Sequence, residues 1–417
     1  LKPEGSRDWY EVPSRQVARA CPFSPAAPDE DALAWQRFGF APVRNPKIGR
    51  FTSAWVGHVA EGEFRPRGSS GGMVSWVAAE LLRTGAVDGV AHVAAEDPAD
   101  GHFFGYRIAR SVDEIGRGAK SRYYPVELSG VLREIHEVPG RYAIVGVPCF
   151  IKAVHLLRRI DPVVRERVTH TLGLFCGHMK SANMVESFAW QLEAEMERVR
   201  AVDYRLKDAR RPANWYRAHL ELDDGTSRGK DWWHLADGDW GAGFFQNSAC
   251  DFCDDVVAET ADIAFGDAWV EPYASDGQGT NVVVARSTEL AAMMERGVAD
   301  GRLSLERVDA AFIERTQAAG LRHRRDGLAY RLTWARKGLR KRVDPSNELP
   351  LRRKLVYRLR YAIARWSHRM FRLARAVHVP GIYLTWATAS LRLYQGLTWS
   401  QGRLGRLFDR LLPRPEG

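Results

Sequence analysis

The sequence predicts an α/β fold: a mixed sheet core with parallel βα units and antiparallel strands, followed by a basic helical C-terminal tail. Three observations predict it. Two short apolar runs, 141–147 and 168–175, each break at a cysteine-bearing turn and lead into a helical pattern, as buried parallel strands with crossover helices do. Residues 202–222 alternate apolar and polar side chains in two blocks, the mark of antiparallel strands with one wet face. Residues 331–417 hold 20 Lys and Arg against 4 Asp and Glu, a net of +16, so the remaining 330 residues, 41 against 47, carry −6. The overall charge of +10 therefore belongs to the tail, and a mildly acidic body precedes it.

An apolar fraction of 45% and an aromatic fraction of 11% exclude a disordered chain. The length of 417 residues suits two domains or one large domain with a tail, divided here as 1–50, 51–325 and 326–417. Five cysteines are too few for a disulfide framework and fit a reducing compartment with a metal site. No apolar run is long enough to span a membrane, and the first residues lack the order of a signal peptide. A cytoplasmic protein is expected, and the Leu1 start suits a fragment or a processed chain.

Residues 1–50 are rich in proline and charge, with few periodic signals; Cys21, beside Pro22, reads as structural or incidental. Gly68-Ser69-Ser70-Gly71-Gly72 then precedes a helical pattern through Val74, Val77, Ala78, Leu81 and Leu82, closed by Gly85. Such a loop offers free backbone N–H groups and a positive dipole end to a phosphate, or is an ordinary turn; no Lys-Ser/Thr pair makes it a Walker loop. A strand is expected at 88–93. Lys120-Ser121-Arg122-Tyr123-Tyr124 precedes an amphipathic helix at 129–137.

The strand at 141–147 ends at Pro148-Cys149, before a helix at 150–160. The strand at 168–175 ends in Cys176-Gly177-His178, with a helix at 182–199 to follow. Parallel strands joined by a helix end on the same sheet edge, so Cys149 and Cys176 are expected to emerge together although far apart in sequence. Trp232, Trp233, Trp240, Phe244 and Phe245 approach Cys250-Asp251-Phe252-Cys253, read as a polar hairpin. An alternating strand at 261–265 ends in Gly266-Asp267-Ala268-Trp269, and Gly279-Thr280-Asn281 opens a Val-rich strand. A helix at 288–296 and a last regular turn at 307–318 finish the body. In the tail, Leu355, Leu359, Ile363, Trp366, Met370 and Leu373 share one helical face, and 383–412 is a second amphipathic stretch with Trp386, Leu391, Leu393, Leu407 and Phe408.

Cys149, Cys176, Cys250 and Cys253 suit a tetrahedral thiolate site, for zinc or for a [4Fe–4S] cluster; two of them could also be ordinary buried cysteines. His178 is a further ligand or a polar lining residue. Asp267, at a strand end, could hold a ribose, a metal or a backbone amide. No residue stands out as catalytic.

In order, SSGG with its helix, KSRYY, GVPC, GLFCGHMKS, DYRLK, CDFCDD, ADIAFGDAW and GTN resemble the coenzyme F420 hydrogenase/dehydrogenase beta-subunit family over about residues 20–325. The resemblance implies an α/β flavoprotein with FAD beside a [4Fe–4S] cluster on Cys149, Cys176, Cys250 and Cys253. It makes Ser69, Ser70, Gly71, Gly72, Lys120, Ser121, Tyr123, Asp267 and Asn281 candidate FAD contacts. Hydride transfer at the flavin, fed one electron at a time through the cluster, is the implied chemistry. The implied partners are ferredoxin or another electron-carrier protein and a small-molecule substrate, either coenzyme F420 or another acceptor. Many members carry an N-terminal Cys-x-x-Cys-x-x-Cys segment. Only Cys21-Pro22 stands in its place, so no second cluster is expected. Tailed members resemble those associated with exopolysaccharide biosynthesis.

Two rival readings are a non-catalytic electron-transfer subunit and a zinc-stabilised interaction protein. The tail is expected either to pack on the body or a second subunit of a homo-oligomer, or to meet an anionic membrane surface peripherally from the cytoplasmic side. Nucleic acid is not expected, since apolar helix faces would have no role on it.

Overall fold

Alternation of apolar residues decides where each strand sits, because successive side chains point to opposite sheet faces. The computed structural model describes residues 15–336, 339 and 341–412. After α1 (Glu30–Phe38), strands β1 (Val43–Asn45) and β2 (Gly49–Phe51) form a short hairpin leading into β3 (Ser53–Val59). Helix α2 (Met73–Arg83), β4 (Gly89–Ala95), β5 (Phe104–Ala109), α3 (Ser129–Glu137), β6 (Tyr142–Gly146), α4 (Pro148–Ile160) and β7 (Val168–Leu174) follow. Next come α5 (Asn183–Gln191) and a small antiparallel sheet of β8 (Val199–Asp203), β9 (Arg217–Leu222) and β10 (Ser227–Asp231). Strands β11 (Ile263–Asp267) and β12 (Asn281–Ala285), α6 (Thr288–Ala299) and β13 (Leu303–Arg307) return to the main sheet. The chain then runs through α7 (Ala310–Thr316), α8 (Ala318–Arg324), α9 (Asp326–Trp334), α10 (Leu351–Ala376), α11 (Pro380–Trp399) and α12 (Gly402–Leu411).

Among the described residues the main sheet has eight strands in the order β13-β3-β12-β11-β7-β6-β4-β5. Its centre is parallel (β4, β6, β7 and β11) and its flanks are antiparallel, which is the predicted mixed α/β class. Both faces are covered. Val90, Ala143, Leu172 and Ile263 meet Trp76, Val77 and Leu81 of α2 and Leu290 and Met294 of α6 on one side. Their strand neighbours Ala91 and Ile144 meet Val131 and Ile135 of α3 and Val154 of α4 on the other. Two-sided burial explains why β6 and β12 read as unbroken apolar runs.

Several expectations are corrected. The helix expected at 182–199 ends at Gln191, and 204–216 is a loop between β8 and β9 rather than continuous strand. β3 lies inside the sheet yet gives no signal in the sequence: Ser53, Gly57 and His58 interrupt its apolar run. β5, β10 and β13 escape notice for a related reason, since these strands carry exposed or half-exposed charges at their sheet edges. The proline-rich start holds α1, capped by Asp29.

The basic tail is built into the core. Val356, Ile363, Phe371, Ala374, Tyr383, Ala387, Tyr394 and Leu397 share one apolar cluster with Phe188, Tyr204, Phe244 and Phe245. The predicted stripe of α10 is displaced: Val356, Ile363, Ser367, Phe371 and Ala374 face inward, whereas Leu355, Trp366 and Leu373 are exposed. Ala364, Ser367 and Ala374 let α10 approach around the buried Phe371, and the Ser367 hydroxyl accepts the Phe245 N–H at 2.9 Å. The second stretch is two helices, with Leu393 and Leu407 outward. No described helix is long and apolar enough to cross a membrane. Phe371 stacks on Trp190 and meets Phe245 and Tyr383 edge-on. Phe371→Ala should lower the unfolding free energy by about 3–5 kcal/mol, measured by denaturant titration; an exposed neighbour such as Leu373→Ala should change it little.

Candidate functional site

The parallel strands β6, β7 and β11 end on one edge of the sheet, and β12, antiparallel to β11, begins there. β3 ends beside β12, with Gly57 opposite Asn281, so the loop after β3 reaches the same edge. A cavity of about 660 Å³ opens along this edge. It is lined at one end by Ser69, Ser70, Gly72, Lys120, Ser121 and Tyr123, and by Asp267 and Asn281, and it extends to Cys176, Gly177 and His178. Gly71 does not line it.

The glycine loop is clamped by the Gly-Thr-Asn motif. A Cβ on Gly279 would stand 2.6 Å from Ser70 Cα, so only glycine permits the approach. Thr280 carbonyl accepts the Ser70 hydroxyl at 3.1 Å, and Asn281 Oδ1 accepts the Met73 N–H at 3.2 Å, capping α2. Asn281 Nδ2 donates to Gly266 carbonyl at 3.0 Å. Ser69 Oγ accepts the Ser121 N–H at 2.9 Å, joining the two predicted loops. Lys207, overlooked in the sequence, donates to the carbonyls of Arg65, Ser70 and Gln278 at 2.5, 2.9 and 2.7 Å. The first turn of α2, Met73 to Ser75, lines the cavity, so the positive end of its dipole faces the space.

Other candidates are already engaged with protein. Lys120 holds φ +110°, a conformation costing an L residue about 1–3 kcal/mol, and pairs with Asp203 at 3.1 Å. Asp267 pairs with the buried Arg205 at 3.0 Å, and Arg205 lies over the rings of Tyr216 and Trp269. Tyr123 packs on Trp240, which stacks on His178 with 4.3 Å between ring centroids. His178 is buried with Nε2 unpartnered, and burial and nearby cations hold it neutral. Lys180 lies over Trp240 and donates to Phe244 carbonyl at 2.6 Å. Burial pulls its ammonium down to about 7.

The four cysteines converge beyond Cys176. Cys149 is the second residue of α4, Cys176 follows β7, and Cys250 and Cys253 lie in and after a short 3₁₀ turn, Ser248–Phe252. The expected polar hairpin is therefore corrected. Asp251, Asp254 and Asp255 around this turn are almost fully buried. They are polar in sequence but paired in space: Asp251 with Gln246 and Arg365, each at 2.9 Å, and Asp254 with Arg342 at 3.3 Å.

One guanidinium ties the segments together. Buried Arg324 donates to the carbonyls of Cys250 (3.0 Å), Cys253 (3.2 Å) and Cys176 (3.4 Å), and to that of Gly177. Burial opposes its charge, but the thiols of Cys253, Cys250, Cys176 and Cys149 more than offset it. Burial pushes the thiols up, Cys176 to about 12 and Cys253 to about 11. For Cys149 the other three thiols add to the rise. Met179 N–H points at Cys250 Sγ at 3.3 Å. Among the described residues, no group of three or more His, Cys, Asp or Glu side chains converges as a single-ion site. Cys21 stands apart, in the turn after the N-terminal helix Arg15–Ala20.

Of the residues that sequence reasoning misses, Lys207 lies in the DYRLK motif, whose composition names no role. Arg324 sits in a run of basic residues, LRHRRDG, that reads as solvated surface.

Two parts of the family described as "Coenzyme F420 hydrogenase/dehydrogenase, beta subunit" match the chain: its N-terminal part at residues 54–133 and its C-terminal part at residues 140–311. Among solved structures, it is similar to a chain of the xenon-derivatised F420-reducing [NiFe] hydrogenase complex from Methanosarcina barkeri. The TM-score is 0.54 at 18% identity, covering 72% of this chain and 99% of that one, a likeness of fold. No curated protein matches it.

The clamp on the glycine loop is testable without any ligand. A Cβ on Gly71 would stand 2.9 Å from both Asn281 Oδ1 and Gly57 carbonyl, whereas one on Gly130 meets nothing within 4 Å. Gly71→Ala should cost about 1–3 kcal/mol of stability, and Gly130→Ala, in α3, should gain about 0.5–1 kcal/mol. Paired thermal melts check both.

Proposed function

The chain belongs to the coenzyme F420 hydrogenase/dehydrogenase beta-subunit family, and from that membership we propose an iron–sulfur flavoprotein oxidoreductase that passes electrons between a [4Fe–4S] cluster and FAD. The coarser statement, an oxidoreductase-type electron-transfer subunit, follows from the family itself. The observation that carries the finer one is continuity. A single cavity runs from a helix N-terminus to Cys176, whose segment Arg324 ties to those of Cys250 and Cys253.

The residues fit both groups. Desolvation pushes all four thiols up, so they cannot ionise cheaply on their own, and a bound cationic centre deprotonates its thiols outright. Four thiolates from Cys149, Cys176, Cys250 and Cys253 would be the sulfur ligands of the cluster, as the family membership implies. When bound, the cluster would supply single electrons and the flavin would couple them to hydride transfer.

This chain's own residues would do the rest. The first turn of α2 and the Ser69–Gly72 loop are placed for a pyrophosphate, with Lys120 and Lys207 adding positive charge nearby. Asp267, held by Arg205, and Asn281, held by Met73 and Gly266, fix the loop and the strand end rather than offering free side chains. Tyr123, Trp240 and His178 form an aromatic side of the cavity near Cys176. On this reading the substrate is a coenzyme F420-like deazaflavin or another small acceptor, the electron partner is ferredoxin or a similar carrier, and the setting is cytoplasmic.

Anaerobically purified protein should contain about four irons and matching acid-labile sulfide per chain, with bound FAD. Cys149→Ser, Cys176→Ser, Cys250→Ser and Cys253→Ser should each deplete the iron, and Cys21→Ser should not. Stoichiometric zinc without sulfide would sink the proposal in favour of a zinc-stabilised interaction protein. Cluster and flavin without turnover of any small acceptor, but with electron exchange to a partner enzyme, would make it a non-catalytic subunit.

A further inference from the structure

The C-terminal helices leave an apolar patch uncovered, and its position is fixed by a buried arginine. Arg352, at the start of α10, donates to Leu397 carbonyl at 2.7 Å, to Asp409 at 2.6 Å and to Ser400 Oγ at 3.0 Å. One side chain thus joins the start of α10, the end of α11 and α12. Gly405 packs so closely on Ser400 that an added Cβ would overlap its backbone, and Phe408 and Leu412 are partly buried against the main cluster. α12 is therefore seated on one face, and its orientation is set.

What that seating turns outward is apolar. Leu404, Leu407 and Leu411 form a stripe on α12, with Trp399 beside it at 59% exposure; Leu351 and Leu355 are exposed at the adjoining end of α10. Each exposed leucine of α12 directly follows an exposed arginine: Arg403, Arg406 and Arg410. A water-facing helix has no use for this stripe, and a patch rimmed by charge marks an interaction site.

We propose that this corner is a peripheral docking site for an anionic lipid bilayer. Charge selects the occupant. The segment 331–417 carries +16 while the rest of the chain carries −6, so the excess of cations is concentrated in the tail that bears the patch. A second copy of the chain would bring the same arginines face to face, which a symmetric contact cannot relieve. A bilayer with acidic headgroups takes the leucines and indole at the acyl boundary and the guanidinium groups at the phosphates together. No described helix is long and apolar enough to cross a membrane, and the proposed contact is made at its surface. The inference is independent of which cofactors the cavity holds.

The full chain should co-sediment with vesicles of equimolar phosphatidylglycerol and phosphatidylcholine, but not with phosphatidylcholine alone. Arg403→Gln/Arg406→Gln/Arg410→Gln should weaken partitioning about a hundredfold, roughly fivefold per basic residue, and added salt should mimic it. Leu404→Ser/Leu407→Ser/Leu411→Ser should abolish binding, with melting temperature unchanged because all three are exposed. Absence of binding to acidic vesicles overturns the proposal, as does equal binding to neutral ones. If the leucine variant keeps its lipid affinity, or instead dissolves a dimer seen by light scattering, the patch is a protein interface.

Discussion

The fork of the Arg324 guanidinium spans the carbonyls of Cys250 and Cys253 on one side and those of Cys176 and Gly177 on the other, joining the end of β7 to a turn more than seventy residues later. Burying a cation costs several kcal/mol unless its geometry is good and its donors are used. Here backbone carbonyls take the donors, so the charge is tolerated only when the cysteine segments stand where they do. Sheet topology brings the strand ends to one edge, and the arginine sets their final spacing.

The same logic extends outward in shells. Arg331 donates to Asp251 carbonyl at 2.8 Å and Arg365 to its carboxylate, while Arg342 reaches Asp254 and Glu259 and also Asp31 of α1. Asp251 and Asp254, which would otherwise raise negative potential beside the thiols, are each answered by a guanidinium from α10 or the segment before it. The positive tail is in part the counter-charge of the acidic CDFCDD turn, folded back over it. The cations of the tail therefore have two uses here: some compensate buried carboxylates, and others stay exposed, three of them on α12.

The parallel core and its cysteines are legible in the sequence because local signals and topology agree there. The apolar runs of β6 and β7, the turn after each and the handedness of crossover connections suffice to place Cys149 beside Cys176. What is illegible depends on partners far along the chain. The buried aspartates of the CDFCDD turn look like a solvated hairpin until Arg342 and Arg365 are in place. The inward face of α10 is chosen by Ser367 and Phe371 fitting Phe245, a pairing no hydrophobic stripe encodes. That the Asn281 amide caps α2 is not announced by its sequence position, and β3 is hidden because glycine and histidine interrupt it.

The contacts of the tail with the cysteine turn carry a consequence for biogenesis. During synthesis Cys250 and Cys253 leave the ribosome long before α10, whose Ser367 and Arg365 engage Phe245 and Asp251 on the approach to that turn. Until those residues emerge, the Asp251 carboxylate lacks its Arg365 partner and Phe245 has no apolar lid. The turn therefore takes its final shape only once α10 has been made, more than a hundred residues after its cysteines.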